Sequence, residues 1–291
     1  MTTTTHVLET PEVDLAYDVR GPLPPADGRR ALLLVGQPMD ASGFASLAPL
    51  LPERTVVTYD PRGLGRSTRK DGRSDHDPET LAEDLHALIT ALGGGPVDLF
   101  GSSGGAIIGL ALVTAHPDDV ATLVAHEPPL LGVLPDAAAV ERARAEVRDA
   151  YEARGFGAGM AAFITMTDWQ GEYTDDYFTH PAPDPATFGL PTDDDGTRGD
   201  PLLSDASWAV SSYRPDAAAL AAAPTSVVVA VGEESAGLFT GRTSVATAAL
   251  LGQEATVFPS HHGGFLGGEH GYAGQPEAFA ARLRAVLDGD G

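Results

Sequence analysis

The chain has 291 residues and a mass of 30.0 kDa, and its 43% hydrophobic and 20% charged residues describe a globular rather than a disordered protein. Its formal net charge is −23 and Lys70 is its single lysine, so the basic patches needed by nucleic acid or an anionic membrane surface are not expected. It has no cysteine, which excludes a thiol nucleophile, disulfides and Cys-ligated metals; Met1 to His6 show no basic or apolar secretory pattern, and no apolar run approaches the roughly 20 residues of a membrane span, so a soluble, cytoplasmic protein is expected.

Residues 6–19 alternate as two antiparallel edge strands, with Val7, Val13, Leu15 and Tyr17 facing inward. Gly21 to Arg30 is a Pro/Gly/Asp loop. Ala31 to Val35 is a continuous apolar run, as a central strand covered on both faces requires, and Gly36-Gln37-Pro38 ends it. Ser42 to Leu51 reads as a short helix, and Thr55 to Tyr59 as the next strand. Thr80 to Leu92 spaces Leu81, Leu85, Leu88 and Ile89 on one helical face. A strand ending at Phe100, a helix from Ala106 to Val113 and a strand at Ala121 to Ala125 follow. This alternation predicts a parallel sheet with right-handed crossovers.

The rhythm breaks at Pro128. Helices are expected at Asp136 to Ala153 and Gly157 to Trp169, irregular chain at Asp175 to Pro201, and short helices at Ser204 to Tyr213 and Asp216 to Ala222. Residues 129–224 therefore read as an inserted, mainly helical lid on a core made of 1–128 and 225–291. The lid residues Met160, Phe163, Met166, Trp169 and Tyr213 line a pocket or form the lid's own core. Sheet rhythm returns with a strand at Thr225 to Val231, a helix near Thr243 to Leu251, a strand at Ala255 to Phe258 and a last helix at Glu277 to Leu287.

The stretch with most chemical content is Gly101-Ser102-Ser103-Gly104-Gly105, which fits G-x-S-x-G between a strand and a helix. A strand that turns at once into a helix passes through a strained residue whose side chain stands clear of both elements. Only Ser103 has glycine two places before and two after; Ser102 would need one where Phe100 stands. Ser103 also precedes a helix N-terminus, where free N–H groups can stabilise an oxyanion.

With these pieces the chain resembles the α/β-hydrolase superfamily. The resemblance rests on Gly36-Gln37-Pro38, on Asp60-x-Arg62-Gly63-x-Gly65-x-Ser67, on the Ser103 pentapeptide, and on a late histidine, all in the family's order. It implies a mostly parallel eight-stranded sheet flanked by helices. A serine hydroxyl needs a base within hydrogen-bond reach, and the family order of serine, acid, histidine places that base after the last strand. His262, followed by two glycines, fits that pattern, with His261 as the alternative. The family's usual acid turn is Gly232-Glu233-Glu234-Ser235, where serine occupies the aspartate slot. The acid is then Glu127, at the end of the preceding strand, or else Glu233 or Glu234 from a shifted turn. The backbone N–H groups of Gln37 and Gly104 are the expected oxyanion donors, although the histidine that often precedes the loop glycine is Val35 here.

The Asp60–Ser67 loop reads as structural, its aspartate and arginine tying chain near the site. Asp193-Asp194-Asp195 reads as a solvated acidic run, and His6, His76, His86, His116, His180 and His270 as ordinary surface or loop residues without metal-ligand spacing. The resemblance implies a cofactor-independent, metal-free serine hydrolase of a carboxylic ester, lactone or related acyl compound. Perhydrolase or halogenation chemistry, C–C bond hydrolysis and a catalytically degenerate ligand-binding protein stay open, as do monomer and homodimer. Haloalkane and epoxide opening are disfavoured, because those family members carry aspartate where Ser103 stands.

Overall fold

The computed structural model describes residues 2–25 and 28–289, without the side chain of His270, so that histidine lies outside the described residues. The strands are β1 (Thr3–Glu9), β2 (Val13–Arg20), β3 (Leu32–Gln37), β4 (Val56–Tyr59), β5 (Thr68–Arg69), β6 (Val97–Ser103), β7 (Val120–His126), β8 (Ser226–Gly232) and β9 (Thr256–Phe258). The helices are α1 (Pro78–Ala91), α2 (Gly104–Ala115), α3 (Ala137–Thr167), α4 (Asp175–Phe178), α5 (Trp208–Ser212), α6 (Ala217–Ala222), α7 (Phe239–Leu250) and α8 (Pro276–Asp288).

One sheet carries the order β1-β2-β4-β3-β6-β7-β8-β9, and the two-residue β5 adds to β2 as a ninth strand. The β1–β2 and β2–β4 pairs are antiparallel, and every pair from β4 to β9 is parallel. The expected eight-stranded path is therefore present. The chain between β7 and β8 adds no strand to it. β3 is buried at all six positions and β6 at its first six, because helices cover both faces. One core cluster packs Leu33, Val35 and Leu99 against Leu81, Leu85 and Ile107; the other packs Leu32, Leu34 and Phe100 against Phe258, Phe279 and Leu283.

Several local expectations change. Val7 is exposed: β1 is the outermost strand, and Leu8, on the other face, packs on the core instead. Two 3-10 turns, Ala41–Phe44 and Ala48–Leu50, replace the short helix expected at Ser42 to Leu51. The two helices expected at 136–153 and 157–169 form one element, α3, interrupted at Gly155, whose φ of 79° and ψ of −171° are not helical. Side chains do not adopt that conformation readily, and an added Cβ there would stand 2.4 Å from Asp194 Oδ1.

The Asp60–Ser67 loop is a brace. Asp60 accepts from the backbone N–H groups of Ala41 and Arg66 at 3.0 and 2.7 Å, and Arg62 makes a bidentate pair with buried Asp84 at 2.6 Å. This holds the turn after β3 in place beside the carboxyl end of the sheet. Asp194 is paired with Arg198, and Asp195 accepts from the backbone of Thr197, so both are satisfied within the loop. Among the described residues no helix is long and apolar enough to cross a membrane.

Candidate active site

Ser103 is the last residue of β6 and immediately precedes α2. Its φ of 56° and ψ of −125° are strained for a residue with a Cβ, and they turn the chain from strand to helix without a loop. The flanking glycines answer to contact. A Cβ on Gly101 would lie 2.5 Å from the Gly105 carbonyl oxygen, and one on Gly105 only 2.1 Å from that of Val35. Gly104 follows Ser103 as the first residue of α2, and a Cβ on it would stand 2.7 Å from the Gln37 carbonyl oxygen. The backbones of Gln37 and Gly104 are thus neighbours beside Ser103.

Glu127 follows β7, is fully buried, and has a positive φ of 49°. Its Oε1 accepts from the Gly232 N–H at 2.8 Å, and its Oε2 from Thr240 Oγ1 at 2.6 Å and from His262 Nδ1 at 2.7 Å. Burial pushes this carboxyl up, but the His262 hydrogen bond and the adjacent imidazoles outweigh it, so the group is held well below the usual carboxylate range. A glutamate with three donors is an anchored anion that holds the Nδ1 side of the His262 ring.

The alternative residues make no such pair, although His261 lines the same cavity as Ser103 and His262. Glu233 and Glu234 are exposed; Glu233 accepts from the Ser260 N–H at 3.3 Å, and neither is hydrogen-bonded to a histidine. His261 turns its ring toward the backbone, accepting from the Gly263 N–H at 3.0 Å and meeting the Ala273 carbonyl at 3.3 Å. Ser235, in the usual acid slot, is buried with its hydroxyl close to Glu127.

Ser103, Gly104, Gln37 and His262 all line one cavity of about 380 Å³. The segment between β7 and β8 supplies much of the remaining wall, including Phe163, Met166, Trp208 and Val210. Phe163 and Met166 thus face the cavity while also packing with Met160 and Trp169 in a third cluster, which Phe239 of α7 joins; Tyr213 packs on the sheet's core. Val210 sits over the turn at Ser103, its Cγ1 3.0 Å from where a Gly104 Cβ would stand.

Two histidines near the site depart from expectation or escaped it. His76 is buried rather than on the surface, with Nδ1 hydrogen-bonded to Gln37 Nε2. Burial and the nearby Arg69 lower its pKa to about 4, which keeps the ring neutral. It braces the loop carrying Gln37, and nothing in its sequence surroundings signals this. His126 is fully buried beneath the site, its ring 6.2 Å from that of His262 and boxed by Phe100, Phe258, Phe265 and Phe279. Neither of its ring nitrogens has a hydrogen-bond partner, and burial pushes its pKa down to about 4. Its place at the end of an apolar strand was the available signal.

His6 and His180 are exposed as expected. His86 and His116 are partly buried and, with Asp119, bring three ligand atoms within 4.8 Å of one another. Their rings are stacked 3.8 Å apart and nearly parallel, so lone pairs lying in those planes do not converge on one ion; Asp119 and Glu83 are instead their hydrogen-bond partners.

The sheet order and the flanking helices are those of the α/β-hydrolase fold. Residues 32–152 match the family model described as alpha/beta hydrolase fold. The chain is 38% identical over 135 residues to an uncharacterized hydrolase, YraK, of Bacillus subtilis, a match covering 46% of this chain and 48% of that protein. It is 37% identical over 100 residues to a fluoroacetate dehalogenase of a Burkholderia species, covering 33% of each. The chain thus spans half or less of the length of these curated relatives. Among solved structures, a thermophilic esterase from Thermogutta terrifontis aligns over 100% of this chain and 99% of its own, with a TM-score of 0.62 and 21% identity. Proline iminopeptidase of Mycobacterium smegmatis aligns over 99% and 98%, with a TM-score of 0.64 and 20% identity, a level at which the fold alone is shared.

Proposed function

We propose that the chain is a cofactor-independent serine hydrolase acting on a carboxylic ester, lactone or related acyl compound. The observation that supports it most is the 2.7 Å contact of buried Glu127 with His262 at the cavity that Ser103 also lines. In this reading Ser103 Oγ attacks the carbonyl carbon while His262 Nε2 takes its proton. Glu127 holds the Nδ1–H tautomer and stabilises the imidazolium. The N–H groups of Gln37 and Gly104 bind the oxyanion. His262 returns the proton to the leaving alcohol, and water, activated by the same imidazole, releases the acid from the acyl-enzyme. Residues 129–224 act as a cap on a core of 1–128 and 225–291.

Dehalogenation, named for one relative, is not carried over. A serine oxygen that displaced a halide from carbon would form an ether, which water does not release at this site, whereas an acyl ester is released by the same machinery that made it. The vacancy at Ser235 does not favour a degenerate binding protein either, because Glu127 supplies the anion that the turn lacks.

The test is hydrolysis of a short-chain 4-nitrophenyl ester together with labelling by a fluorophosphonate. Ser103→Ala is expected to lose both while keeping the far-UV circular dichroism of the parent. Labelling retained in that variant would overturn the assignment.

A further inference from the structure

Arg144 and Arg148 stand one turn apart on α3, and both line the cavity that contains Ser103. Their guanidinium carbons lie 3.9 and 4.8 Å from the centroid of the Trp208 ring. Arg148 has carboxylates near it, Asp149 at 3.5 Å and Asp205 at 3.6 Å. Arg144 has none within 4.0 Å among the described residues; its Nη1 donates to the Trp208 carbonyl at 3.1 Å and to Ser212 Oγ at 3.3 Å, and its Nε and Nη2 make no hydrogen bond there. In a chain with 41 acidic and 18 basic side chains, the arginines that brace the core do have such partners, as Arg54, Arg62 and Arg242 show. Burial pushes the Arg144 guanidinium down to about 10, which leaves it cationic at neutral pH, a partly buried charge with no carboxylate in direct contact among the described residues.

Its position relative to the nucleophile follows from α5. Trp208 and Ser212, which hold Arg144, flank Val210 on that helix, and Val210 sits over Gly104, the residue after Ser103. The single acidic side chain among the cavity's lining residues, Asp168, is exposed, where water and salt screen it.

We propose that Arg144, with Arg148 beside it, binds a free carboxylate on the substrate, so that the ester cleaved at Ser103 is a half-ester of a small dicarboxylic acid. The proposal rests on the serine-hydrolase reading above and adds a substrate class to it. Two unused donors in the guanidinium fork match a carboxylate, and the Trp208 ring 3.9 Å from the guanidinium carbon holds the fork at the wall. Arg144 is partly buried between the Trp208 ring and the end of α5, so its charge is less well solvated than that of a fully exposed arginine.

The experiment compares 4-nitrophenyl hydrogen glutarate with 4-nitrophenyl valerate, which puts a methyl group where the glutarate has its carboxylate. The ratio of their kcat/KM values is expected to exceed one in the wild type and to fall about tenfold or more in Arg144→Gln. In Arg144→Lys the ratio is expected to fall less, since a point charge replaces the fork. A merely structural role for Arg144 lowers both esters together and leaves the ratio fixed, and that outcome overturns the proposal. A wild-type ratio of one or below also overturns it, whether or not the variants fold. If neither ester is turned over, the hydrolase reading is what fails, and calorimetric titration with monomethyl glutarate decides the subsite separately. Binding to the wild type that weakens about tenfold or more in Arg144→Gln supports it, and equal or absent binding overturns it.

Discussion

Glu127 Oε2 and His262 Nδ1 lie 2.7 Å apart, although 135 positions separate them in the chain. The contact links the end of β7 to the loop after β9 across the intervening β8. Gly232, at the end of β8, contributes the N–H that fixes the second carboxylate oxygen. In the proposed mechanism the acid is thus supplied one strand earlier than the Gly232–Ser235 turn would supply it, and the glycine of that turn donates to it.

This placement separates the candidate acids experimentally. Glu127→Gln keeps the size of the side chain but replaces the anion facing Nδ1 with an amide, and turnover is expected to fall about 10³- to 10⁴-fold. Glu233→Gln and Glu234→Gln change exposed side chains with no contact to His262 and are expected to stay within about twofold of the parent. Steady-state hydrolysis of a 4-nitrophenyl ester by the three variants checks this, and the reverse ranking would relocate the acid to the turn.

The turn at Ser103 makes a stability prediction. A Cβ on Gly105 would be 2.1 Å from a backbone oxygen of β3, where no flexible side chain can yield. Gly105→Ala is expected to destabilise the fold by about 3 kcal/mol or more, or to prevent folding. Gly199→Ala meets nothing within 4 Å and is expected to change stability by no more than about 0.5 kcal/mol. Urea denaturation of both variants reads the contrast, and equal midpoints would contradict the packing described here.

Acid sensitivity follows from the buried imidazoles. His126 and His76 have folded pKa values lowered from 6.5 to about 4, by burial first in each case. Between those values the unfolded chain binds the protons that the folded chain excludes, so stability is unaffected above about pH 6.5 and falls as pH drops toward 4. Each group contributes a loss of up to about 3 kcal/mol over that window. Glu127, whose pKa is lowered, adds its own loss at still lower pH, as its stabilising charge is neutralised. His126→Phe, placed in an aromatic box, is expected to flatten the stability curve between pH 6.5 and 4.5. Denaturation midpoints measured across that range for parent and variant test it, and parallel curves would show that His126 is not the proton-excluding group.

Much of this molecule could be read without coordinates, because the signals are local. The turn at Ser103 is legible from the glycines around it, because a strand that turns at once into a helix leaves no room for Cβ atoms two places before and after the turning residue. The alternation of apolar runs and amphipathic stretches likewise specified the parallel sheet, as buried strands and half-buried helices carry different periods. The break of α3 at Gly155 lies between the two helices expected there, where a glycine signals the non-helical backbone. Val7 is exposed against expectation because alternation marks the two faces of a strand but not which one a distant element covers.

What the linear chain left open was every pairing that depends on register between strands far apart. Glu127, Glu233 and Glu234 are chemically equivalent as text, as are His261 and His262; the stagger of β7, β8 and β9 alone determines which carboxylate meets which ring. Tertiary structure likewise decided the burial of His76 against Gln37 and the unpaired state of Arg144. A side chain's partners, and so its charge and its free hydrogen-bond donors, are set by neighbours in space that no local pattern encodes.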